Sequence, residues 1–465
     1  MEISLILEEI TRQNKFWARE KQRDFFGNNT FKRELYPRLV ALLTDRLIIS
    51  IVGLRRVGKT VLLKQLIGHL IDNDKVEPRN ILFLSFDEAM LSSAVKLDDY
   101  LRIYLSHFQA RRTGRLYIFL DEIQYAPEWQ HILKRFYDTE PNIKFIISGS
   151  SSLFLKKKAT ESLVGRIYEF NLPVLSFVEY LELAQVFSAN LSIFKSLLCD
   201  IKAGSKDWLK LDVARKIFLS EHSLWLAGQF DEYLLRGQFP EVVGEKDIVK
   251  IERYLRESVY KKTIEFDIPR LFGADKVGDL KFIFQVLVNE TGNQFEVGNL
   301  AQEAQIDQKT LTRYLSFFEE SLLARILYNY SRSLRKTHRQ PKKIYISSTN
   351  FYPLDLATPL ETRGAILGHL AETHACNLLR ARFDNLSFYR VRKQEVDFIG
   401  ADNWLDRSSY RLIEVKYRSD VSRQRFVFLE NTAKRFGVGR LPVVLTKYEF
   451  GVSEKLALVP LFMIK

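Results

Sequence analysis

Cysteine is scarce in this sequence, with only Cys199 and Cys376 among 465 residues. The two lie far apart and lack the short spacing of metal ligands, so a disulfide framework is excluded as the basis of the fold. Cysteine usage this low is typical of proteins that work in a reducing compartment.

Long apolar runs are missing as well. No segment approaches the length of a membrane-spanning helix, and residues 1–10 carry acids where a signal peptide needs basic residues. We see no internal repeat and no low-complexity segment, and the 46% hydrophobic and 27% charged residues are typical of a globular chain. These absences predict a soluble, cytoplasmic protein.

Acidic residues are outnumbered by basic ones, with 57 Asp and Glu against 70 Lys and Arg and a formal net charge of +13. That balance suits a polyanionic partner, either nucleic acid or a membrane surface, although surplus lysine and arginine also serve solubility. The chain is long enough for about two to four domains, each with its own core.

The sequence contains a complete phosphate-loop pattern, G-x-x-x-x-G-K-T, which begins at Gly53 and ends at Thr60. An apolar run at 47–52 precedes it and suits a buried parallel strand, and an apolar helical pattern follows over 61–70. In that context the backbone N–H groups of the loop and the helix N-terminus face phosphate groups. The alternative is a chance glycine turn before a core helix.

Each residue type in this loop has a physical role. Gly53 and Gly58 permit backbone angles and close approaches that a Cβ would block. Lys59 should reach the β- and γ-phosphates of ATP, and the Thr60 hydroxyl should ligate Mg²⁺. The predicted nucleotide-binding residues are Gly53, Leu54, Arg55, Arg56, Val57, Gly58, Lys59, Thr60, Val61 and Asp121.

A second apolar stretch, 116–122, ends in two acids, which is the Walker B pattern. Asp121 should hold the Mg²⁺ shell together with Thr60, and Glu122 should orient or deprotonate the attacking water. The tip of a parallel strand places both carboxylates at the edge of the sheet where ligands bind. The alternative is an ordinary strand end followed by a helix cap.

Two further side chains are candidates for the same reaction. A strand at 144–148 ends in serines, and Ser148, with Ser150 as second choice, can sense the γ-phosphate beside the Walker B strand; a serine-rich turn is the alternative. Arg166, in a turn before the last strand of this region, is a candidate arginine finger that acts on the nucleotide of a neighbouring subunit. The alternative is an ordinary surface arginine.

Together these motifs resemble the AAA-type ATPases, in particular an archaeal and bacterial group. The matching stretches are Gly53–Thr60, Asp121–Gln124, Ser148–Ser150 and Leu163–Arg166, and two later motifs of the group match Tyr233–Glu241 and Asp267–Arg270. The resemblance implies ATP hydrolysis at the subunit interfaces of a homo-oligomer, for which a hexamer is one candidate. It also implies an α/β ATPase joined to a winged-helix region and a nuclease-like fold.

The predicted domain organisation has five parts. They are an N-terminal helical lead-in (1–30), an AAA-type P-loop ATPase domain with a parallel sheet (31–175), a helical lid or linker (176–275), a winged-helix-like domain (276–344) and a nuclease-like α/β domain (345–465).

Residues 280–330 fit a helix-turn-helix, with helices over about 277–290, 299–305 and 308–321. In the third helix, Leu311, Tyr314, Leu315 and Phe318 should share a buried face and leave Lys309, Thr312 and Arg313 exposed. Basic residues follow, which would form a basic wing for phosphate contact: Arg332, Arg335, Lys336, Arg339, Lys342 and Lys343. A protein-binding winged helix with a solvated basic loop is the alternative.

The last region resembles the core of the PD-(D/E)xK nucleases. On a strand, Glu414 and Lys416 point to the same face, after Asp397 on a neighbouring strand and Glu372 in a helical segment. The resemblance implies that Glu372, Asp397 and Glu414 ligate Mg²⁺ and that Lys416 positions a water or stabilises charge. The Pro of the motif name is absent, since Val396 precedes Asp397, and an ordinary amphipathic strand pair is the alternative.

The favoured hypothesis is an ATP-hydrolysing enzyme that handles DNA. The resemblance of the last domain to archaeal junction-resolving nucleases adds branched DNA as a candidate partner, and no membrane is expected. Two other hypotheses stay open. One is a nucleotide-controlled signalling or assembly switch with an inactive nuclease-like interaction domain, and the other is a metal-dependent DNA nuclease whose access is gated by ATP.

Overall fold

The computed structural model describes residues 3–27, 30–87, 96–108, 114–150, 163–274, 276–331, 333, 337, 340–352, 360–421 and 426–465. The chain divides into two compact units. The first comprises Met1–Leu175 with Glu320–Leu322, and the second comprises Ser176–Glu319 with Leu323–Lys465. Among the helices in the described ranges, none combines the length and the apolarity that crossing a membrane requires.

The first unit is built on a five-stranded sheet in the order β2-β3-β4-β1-β5, with every neighbouring pair parallel. Its strands are β1 (Ile48–Val52), β2 (Ile81–Ser85), β3 (Leu116–Asp121), β4 (Ile143–Gly149) and β5 (Ile167–Asn171). Its helices are α1 (Ile3–Gln13), α2 (Gln22–Phe26), α3 (Tyr36–Ala41), α4 (Lys59–Asp72), α5 (Leu97–Ile103) and α6 (Trp129–Thr139). The α/β fold with a parallel sheet, predicted for this region, is confirmed.

The strands at the centre of the sheet are buried along their whole length. All residues of β1 and β4 are buried, as expected for apolar runs that carry helices on both faces. Helix α4 starts directly after the glycine loop and buries the predicted apolar positions, among them Leu62, Leu66 and Leu70, except Val61, which is exposed. The carboxyl ends of β1, β3 and β4 therefore meet at one edge, which is where the candidate site lies.

The N-terminal segment covers the free edge of this sheet at β2. The Asn14 amide donates to Phe83 O at 2.9 Å and accepts from Phe83 N at 2.7 Å, while Gln13 accepts from Ser85 N at 2.7 Å. The indole of Trp17 donates to Ile81 O at 2.8 Å. Side chains thus satisfy backbone groups that an edge strand otherwise exposes.

The second unit contains the remaining elements. Its helices are α7 (Phe177–Ala184), α8 (Leu191–Leu197), α9 (Ser205–Lys210), α10 (Asp212–Arg236), α11 (Ile248–Tyr254), α12 (Ile268–Phe272), α13 (Val277–Asn289), α14 (Val297–Glu303), α15 (Gln308–Glu320), α16 (Leu360–Arg382) and α17 (Val427–Phe436), with a π-helical stretch (Leu255–Asp267) joining α11 to α12. Its strands are β6 (Gln294–Phe295), β7 (Ala324–Tyr328), β8 (Lys342–Ile346), β9 (Asn385–Val391), β10 (Gln394–Ala401), β11 (Arg411–Lys416), β12 (Val443–Thr446), β13 (Gly451–Val452) and β14 (Ala457–Pro460).

Helices α13, α14 and α15 surround a small antiparallel sheet in the order β6-β8-β7. The three helices occupy the predicted positions to within about two residues, which is the usual uncertainty of a helix boundary. The predicted buried face of α15 is buried, and Lys309, Thr312 and Arg313 are exposed. The chain order here is helix, strand, two helices and a two-stranded hairpin.

A six-stranded mixed sheet forms the other part of this unit, in the order β13-β14-β12-β11-β10-β9. Strand β10 pairs antiparallel with both β9 and β11, and β13 pairs antiparallel with β14, whereas β12 pairs in parallel with β11 and with β14. Helices α7 to α10 share one hydrophobic core with this sheet, in which Phe230 and Leu234 lie with Phe398 and Val459. The segment predicted as a lid or linker therefore packs into the same unit as the C-terminal sheet.

Candidate functional site

The loop between β1 and α4 has the geometry that its glycines predict. A Cβ on Gly53 would lie 2.4 Å from the carbonyl oxygen of Leu172, so the loop begins where only glycine fits. Gly58 has a φ of 97°, in the left-handed region, directly before Lys59 begins the helix. The side chains of Leu54 and Val57 are buried, which leaves the backbone of the loop as its binding surface.

Lys59 lies inside this loop and is 4% exposed. Its ammonium donates to the carbonyl oxygens of Gly53 and Leu54 at 3.2 and 3.1 Å, and it pairs with Glu122 at 3.2 Å. A buried ammonium with three oxygen partners is well suited to receive phosphate oxygens in their place. The structure thus brings the predicted Lys59 and Glu122 together.

Asp121 lies between two hydroxyls at the end of β3. Thr60 donates to one carboxylate oxygen at 2.7 Å, and Ser148 donates to the other. Burial raises the pKa of the Asp121 carboxyl above its usual value, and the adjacent charge of Glu122 raises it further. A buried carboxylate beside a threonine hydroxyl is an oxygen donor set of the kind Mg²⁺ takes, so the residues present fit that ion.

Glu122 is held in the left-handed region, with a φ of 51°. Its backbone N–H donates to Ser148 Oγ at 3.2 Å, and its carboxylate accepts from the Gln124 amide. Burial alone would raise the pKa of Glu122, but the charge of Lys59 and the Gln124 hydrogen bond outweigh burial and hold the pKa below its usual value. The carboxylate is therefore ionised, which a base acting on water requires.

Three residues around this cluster were not predicted as site residues. Gln124 also donates to Ser150 Oγ at 2.9 Å, and Arg55, a predicted loop residue, donates to the hydroxyl of Tyr125 at 2.7 Å. Gln124 belongs to the Asp-Glu-Ile-Gln motif, so its signal was present in the sequence. Ser150 was named only as a second choice for the sensor, and nothing in the sequence marked Tyr125.

Arg33 is the third, and no local pattern identifies it. Its buried guanidinium donates to Val57 O in the phosphate loop at 2.6 Å. It also donates to Pro173 O at 2.9 Å and Val174 O at 3.2 Å, after the end of β5. Arg33 therefore ties the loop to a segment more than a hundred residues later in the chain.

The structure does not bring Arg166 to this cluster. Ile48 N donates to Arg166 O, so Arg166 lies beside the start of β1, whereas the phosphate loop follows the other end of that strand. The Arg166 side chain is 32% exposed and pairs with Asp138 at 3.1 Å. It therefore lies at the sheet edge opposite its own phosphate loop.

The second unit contains the other predicted group. Glu372 lies on α16, Asp397 on β10, and Glu414 and Lys416 on β11. Asp397 accepts from Val415 N at 2.8 Å, and Lys416 donates to Glu414 at 2.6 Å. Burial raises the pKa of Asp397 well above its usual value, and the charges of Glu372 and Glu414 raise it further, so the carboxylates interact.

Strand β8 adds a second lysine to this group. Lys343 Nζ lies 3.0 Å from Glu372 Oε1 and 2.5 Å from Glu395 Oε1. The hydroxyl of Tyr345 donates to the same Glu372 oxygen at 2.8 Å. Glu395 also accepts from the Gln294 amide at 2.8 Å. Neither Glu395 nor Tyr345 was a predicted site residue.

One prediction about this lysine is wrong. Lys343 was expected on an exposed basic wing, but it is 5% exposed and its ammonium faces two carboxylates, so it is not a phosphate contact. Lys342 precedes it on β8 and is partly exposed. The other residues of the predicted wing lie outside the described residues: Arg332, Arg335, Lys336 and Arg339.

The carboxylates of the second unit are not arranged as a metal cage. In the described part of the chain, no group of three His, Cys, Asp or Glu side chains is placed to hold a metal ion. Glu372 and Glu414 each face a lysine, and Glu414 Oε2 is buried without a hydrogen-bond partner. As arranged, Glu372, Asp397 and Glu414 do not fit a metal, and the prediction that they bind one is still to be tested by titration.

Fold and cluster in the first unit together define a P-loop nucleotide-binding domain. Residues 45–181 match the family model described as an AAA domain, and residues 227–350 match one described as a domain of unknown function, DUF8612. The first match covers β1 to β5 and the whole cluster around Lys59. The first unit therefore contains an AAA domain.

Two relatives come from Methanocaldococcus jannaschii, both described as uncharacterized proteins. One is 27% identical over 408 residues, covering 84% of this chain and 80% of its own length. The other is 26% identical over 384 residues, covering 80% and 76%. Among solved structures, the Saccharomyces cerevisiae Hsp104:casein complex matches with 15% identity and a TM-score of 0.31, covering 65% of this chain and 51% of that one. This chain spans about half the length of Hsp104, and a likeness of that size carries no argument about function.

Proposed function

We propose that this protein is an AAA-type ATPase that hydrolyses ATP between subunits and uses the energy to handle DNA. The observation that carries the ATPase part is the convergence of Lys59 with Glu122, and of Thr60 with Asp121, at the carboxyl edge of a parallel sheet. Two motifs separated in sequence, Gly53–Thr60 and Asp121–Gln124, build that arrangement, and each supplies the chemical groups that its role requires.

In this proposal, Lys59 exchanges Glu122 and two carbonyls for the β- and γ-phosphates of ATP. Thr60 and Asp121 would hold Mg²⁺, which neutralises charge on the phosphates when bound. The ionised Glu122, released from Lys59, accepts the proton of the attacking water. Ser148 donates a hydrogen bond to Asp121 and accepts one from the Glu122 backbone, so it fixes the positions of the two acids relative to one another.

The DNA part rests on charge and on the helices of the second unit. The order helix, strand, two helices and hairpin in α13 to β8 supports a winged helix, in which the last helix enters the major groove. That helix is α15, and its exposed face carries Lys309 and Arg313. The net charge of +13 supports an anionic partner.

The C-terminal sheet supports a nuclease-like fold. The neighbouring strands β10 and β11 carry Asp397, Glu414 and Lys416, and Glu372 on helix α16 acts on the same Asp397 carboxyl, which is the residue set that carries the resemblance. The lysine pairing of Glu372 and Glu414 favours a domain that engages DNA, branched DNA included, over one that cuts it. An assembly switch with the same inactive domain stays as the second candidate.

One experiment separates these candidates. We expect the parent to hydrolyse ATP with Mg²⁺, and duplex or four-way DNA to accelerate turnover several-fold, while a switch would show no DNA effect. Lys59→Ala should reduce turnover by about a hundredfold or more, because a charge-assisted phosphate contact is lost. DNA integrity, followed in the same reactions, tests the ATP-gated nuclease.

DNA binding itself should weaken steeply with salt because counterions are released from phosphates. Lys309→Ala with Arg313→Ala should lower the affinity and the salt slope. Lys210→Ala, which removes an exposed lysine of α9, is the matched control. Equal affinity of the double variant and the parent across the salt series would remove α15 from the proposal.

A further inference from the structure

Strand β8 points two alternate side chains at one carboxylate. Lys343 and Tyr345 are two residues apart, so they lie on the same face of the strand, and both bond Glu372 Oε1. Lys343 also pairs with Glu395, which Gln294 holds from the neighbouring strand β6. The small sheet thus inserts an ammonium group among the acids of the larger one.

The charges of the cluster show what this ammonium does. The charges of Glu372 and Glu414 act on Asp397, and Lys343 contacts both Glu372 and a fourth carboxylate, that of Glu395. Burying several like charges together is unfavourable unless a cation or a proton compensates. In the described residues, the chain itself supplies the compensating cations: Lys343 on one side, Lys416 on the other, and Arg390 at 3.7 Å from Glu395.

We infer that Lys343 occupies, in this acidic cluster, the charge position of a divalent metal ion, so that the second unit is complete without metal. The carboxylates of Glu372 and Glu395 are bound to Lys343 and are not free to ligate an ion. The inference rests on the nuclease-like interpretation of this unit. It goes beyond that interpretation, because it identifies Lys343 as the reason why the carboxylates do not form a metal cage.

Removing the ammonium should create the site that Lys343 now fills. In Lys343→Met the side chain keeps its unbranched shape, is one atom shorter and loses its charge, which leaves Glu372, Asp397 and Glu414 without one of their two lysines. The Glu372 carboxylate, freed from Lys343, would then join Glu414 Oε2, which is already buried without a hydrogen-bond partner, as a donor to a hard cation. Divalent cations should therefore bind the variant more tightly than the parent.

The experiment titrates the full-length protein with Mn²⁺ alone, without nucleotide, and follows free Mn²⁺ by electron paramagnetic resonance. Lys343→Met should gain one Mn²⁺ per chain relative to the parent, with an affinity increase of about tenfold or more, the size typical of changing a group beside metal ligands. The gain should vanish in Lys343→Met with Asp397→Asn. Lys342→Met, the neighbouring lysine on β8, is the control and should gain nothing.

Unfolding provides a second measurement, because an ion that binds only the folded chain stabilises it. Mn²⁺ should raise the melting temperature of the second unit in Lys343→Met and leave that of the parent unchanged. If Lys343→Met is insoluble without metal, adding Glu395→Gln removes one uncompensated charge and keeps the other three carboxylates. The same Mn²⁺ gain is then expected of the double variant.

Two results would overturn the inference. The first is an Asp397-dependent Mn²⁺ site in the parent with the affinity of the variant, since Lys343 would then exclude nothing. The second is a folded Lys343→Met that gains no Mn²⁺. ATP turnover, measured in the same preparations, separates these failures from a failure of the proposed function, because the Lys59 cluster belongs to the other unit.

Discussion

At the scale of single residues, the pairing of Lys59 with Glu122 has the largest consequences. The two side chains are the phosphate-binding cation and the water-activating base, and they neutralise each other at 3.2 Å. Each therefore needs the other to be exchanged for substrate before it can act. This makes the two substitutions distinguishable in their effects.

Glu122→Gln should keep ATP affinity near that of the parent and lower turnover by about a hundredfold or more, since only the base is lost. Lys59→Ala should weaken ATP binding by about tenfold to a hundredfold as well as abolishing turnover. Nucleotide affinity by fluorescence titration, beside steady-state hydrolysis, checks both. Parent-like hydrolysis in Glu122→Gln would show that another group activates the water.

Single residues also show what the sequence could and could not predict. The roles of Gly53, Lys59 and Asp121 follow from short motifs whose neighbours in sequence fix their geometry. Arg33 and Lys343 act through partners far along the chain, and no spacing rule identifies them. Lys343 was placed on the wrong surface because its strand was read as a solvated wing, while the partner carboxylates lie on other strands.

At the scale of elements, the predicted strands and helices of the sheet lie where apolar periodicity placed them, because that signal is local. The role of the N-terminal helix was not predictable in the same way. Gln13 at its end and Asn14 directly after it belong to a segment predicted only as a helical lead-in, and the structure uses both to bond the edge strand β2.

Asn14→Leu should therefore destabilise the first unit. Asn14 is 1% exposed and exchanges two hydrogen bonds with the backbone of Phe83, so leucine of similar size leaves buried polar groups unpaired. We expect a loss of about 2–4 kcal/mol in the free energy of unfolding, measured by urea denaturation. Arg12→Ala, on the exposed side of the same helix, should change it by less than about 0.5 kcal/mol. Equal urea midpoints for the two variants would show that the hydrogen bonds of Asn14 to β2 contribute little to stability.

At the scale of the whole molecule, the position of Arg166 has a consequence for assembly. It lies at the opposite sheet edge from its own phosphate loop, so a role in hydrolysis requires the nucleotide of a second copy. Arg166→Ala should lower turnover by on the order of a thousandfold while leaving ATP affinity nearly unchanged, because the contact develops in the transition state.

Mixing tests this directly. Arg166→Ala protein has an intact loop, and Lys59→Ala protein has an intact arginine, so mixed oligomers should recover part of the activity that each lacks. Arg135→Ala, which removes another exposed ion-paired arginine, is the control and should behave like the parent. Absence of recovery, with mixing shown by a labelled subunit, would assign Arg166 to the surface.

The strand order of the first unit also determines when each strand can pair while the chain is being synthesised. Strand β1 pairs with β4 and β5, so Ile49 meets its partners Ile146 and Tyr168 only after about a hundred further residues have been made. Pairings this distant in sequence close slowly. While the ribosome adds those residues, the apolar strand β1 and the helix after the phosphate loop remain without their neighbours. We therefore expect nascent chains stopped before β4 to be the ones that chaperones bind and proteases cleave.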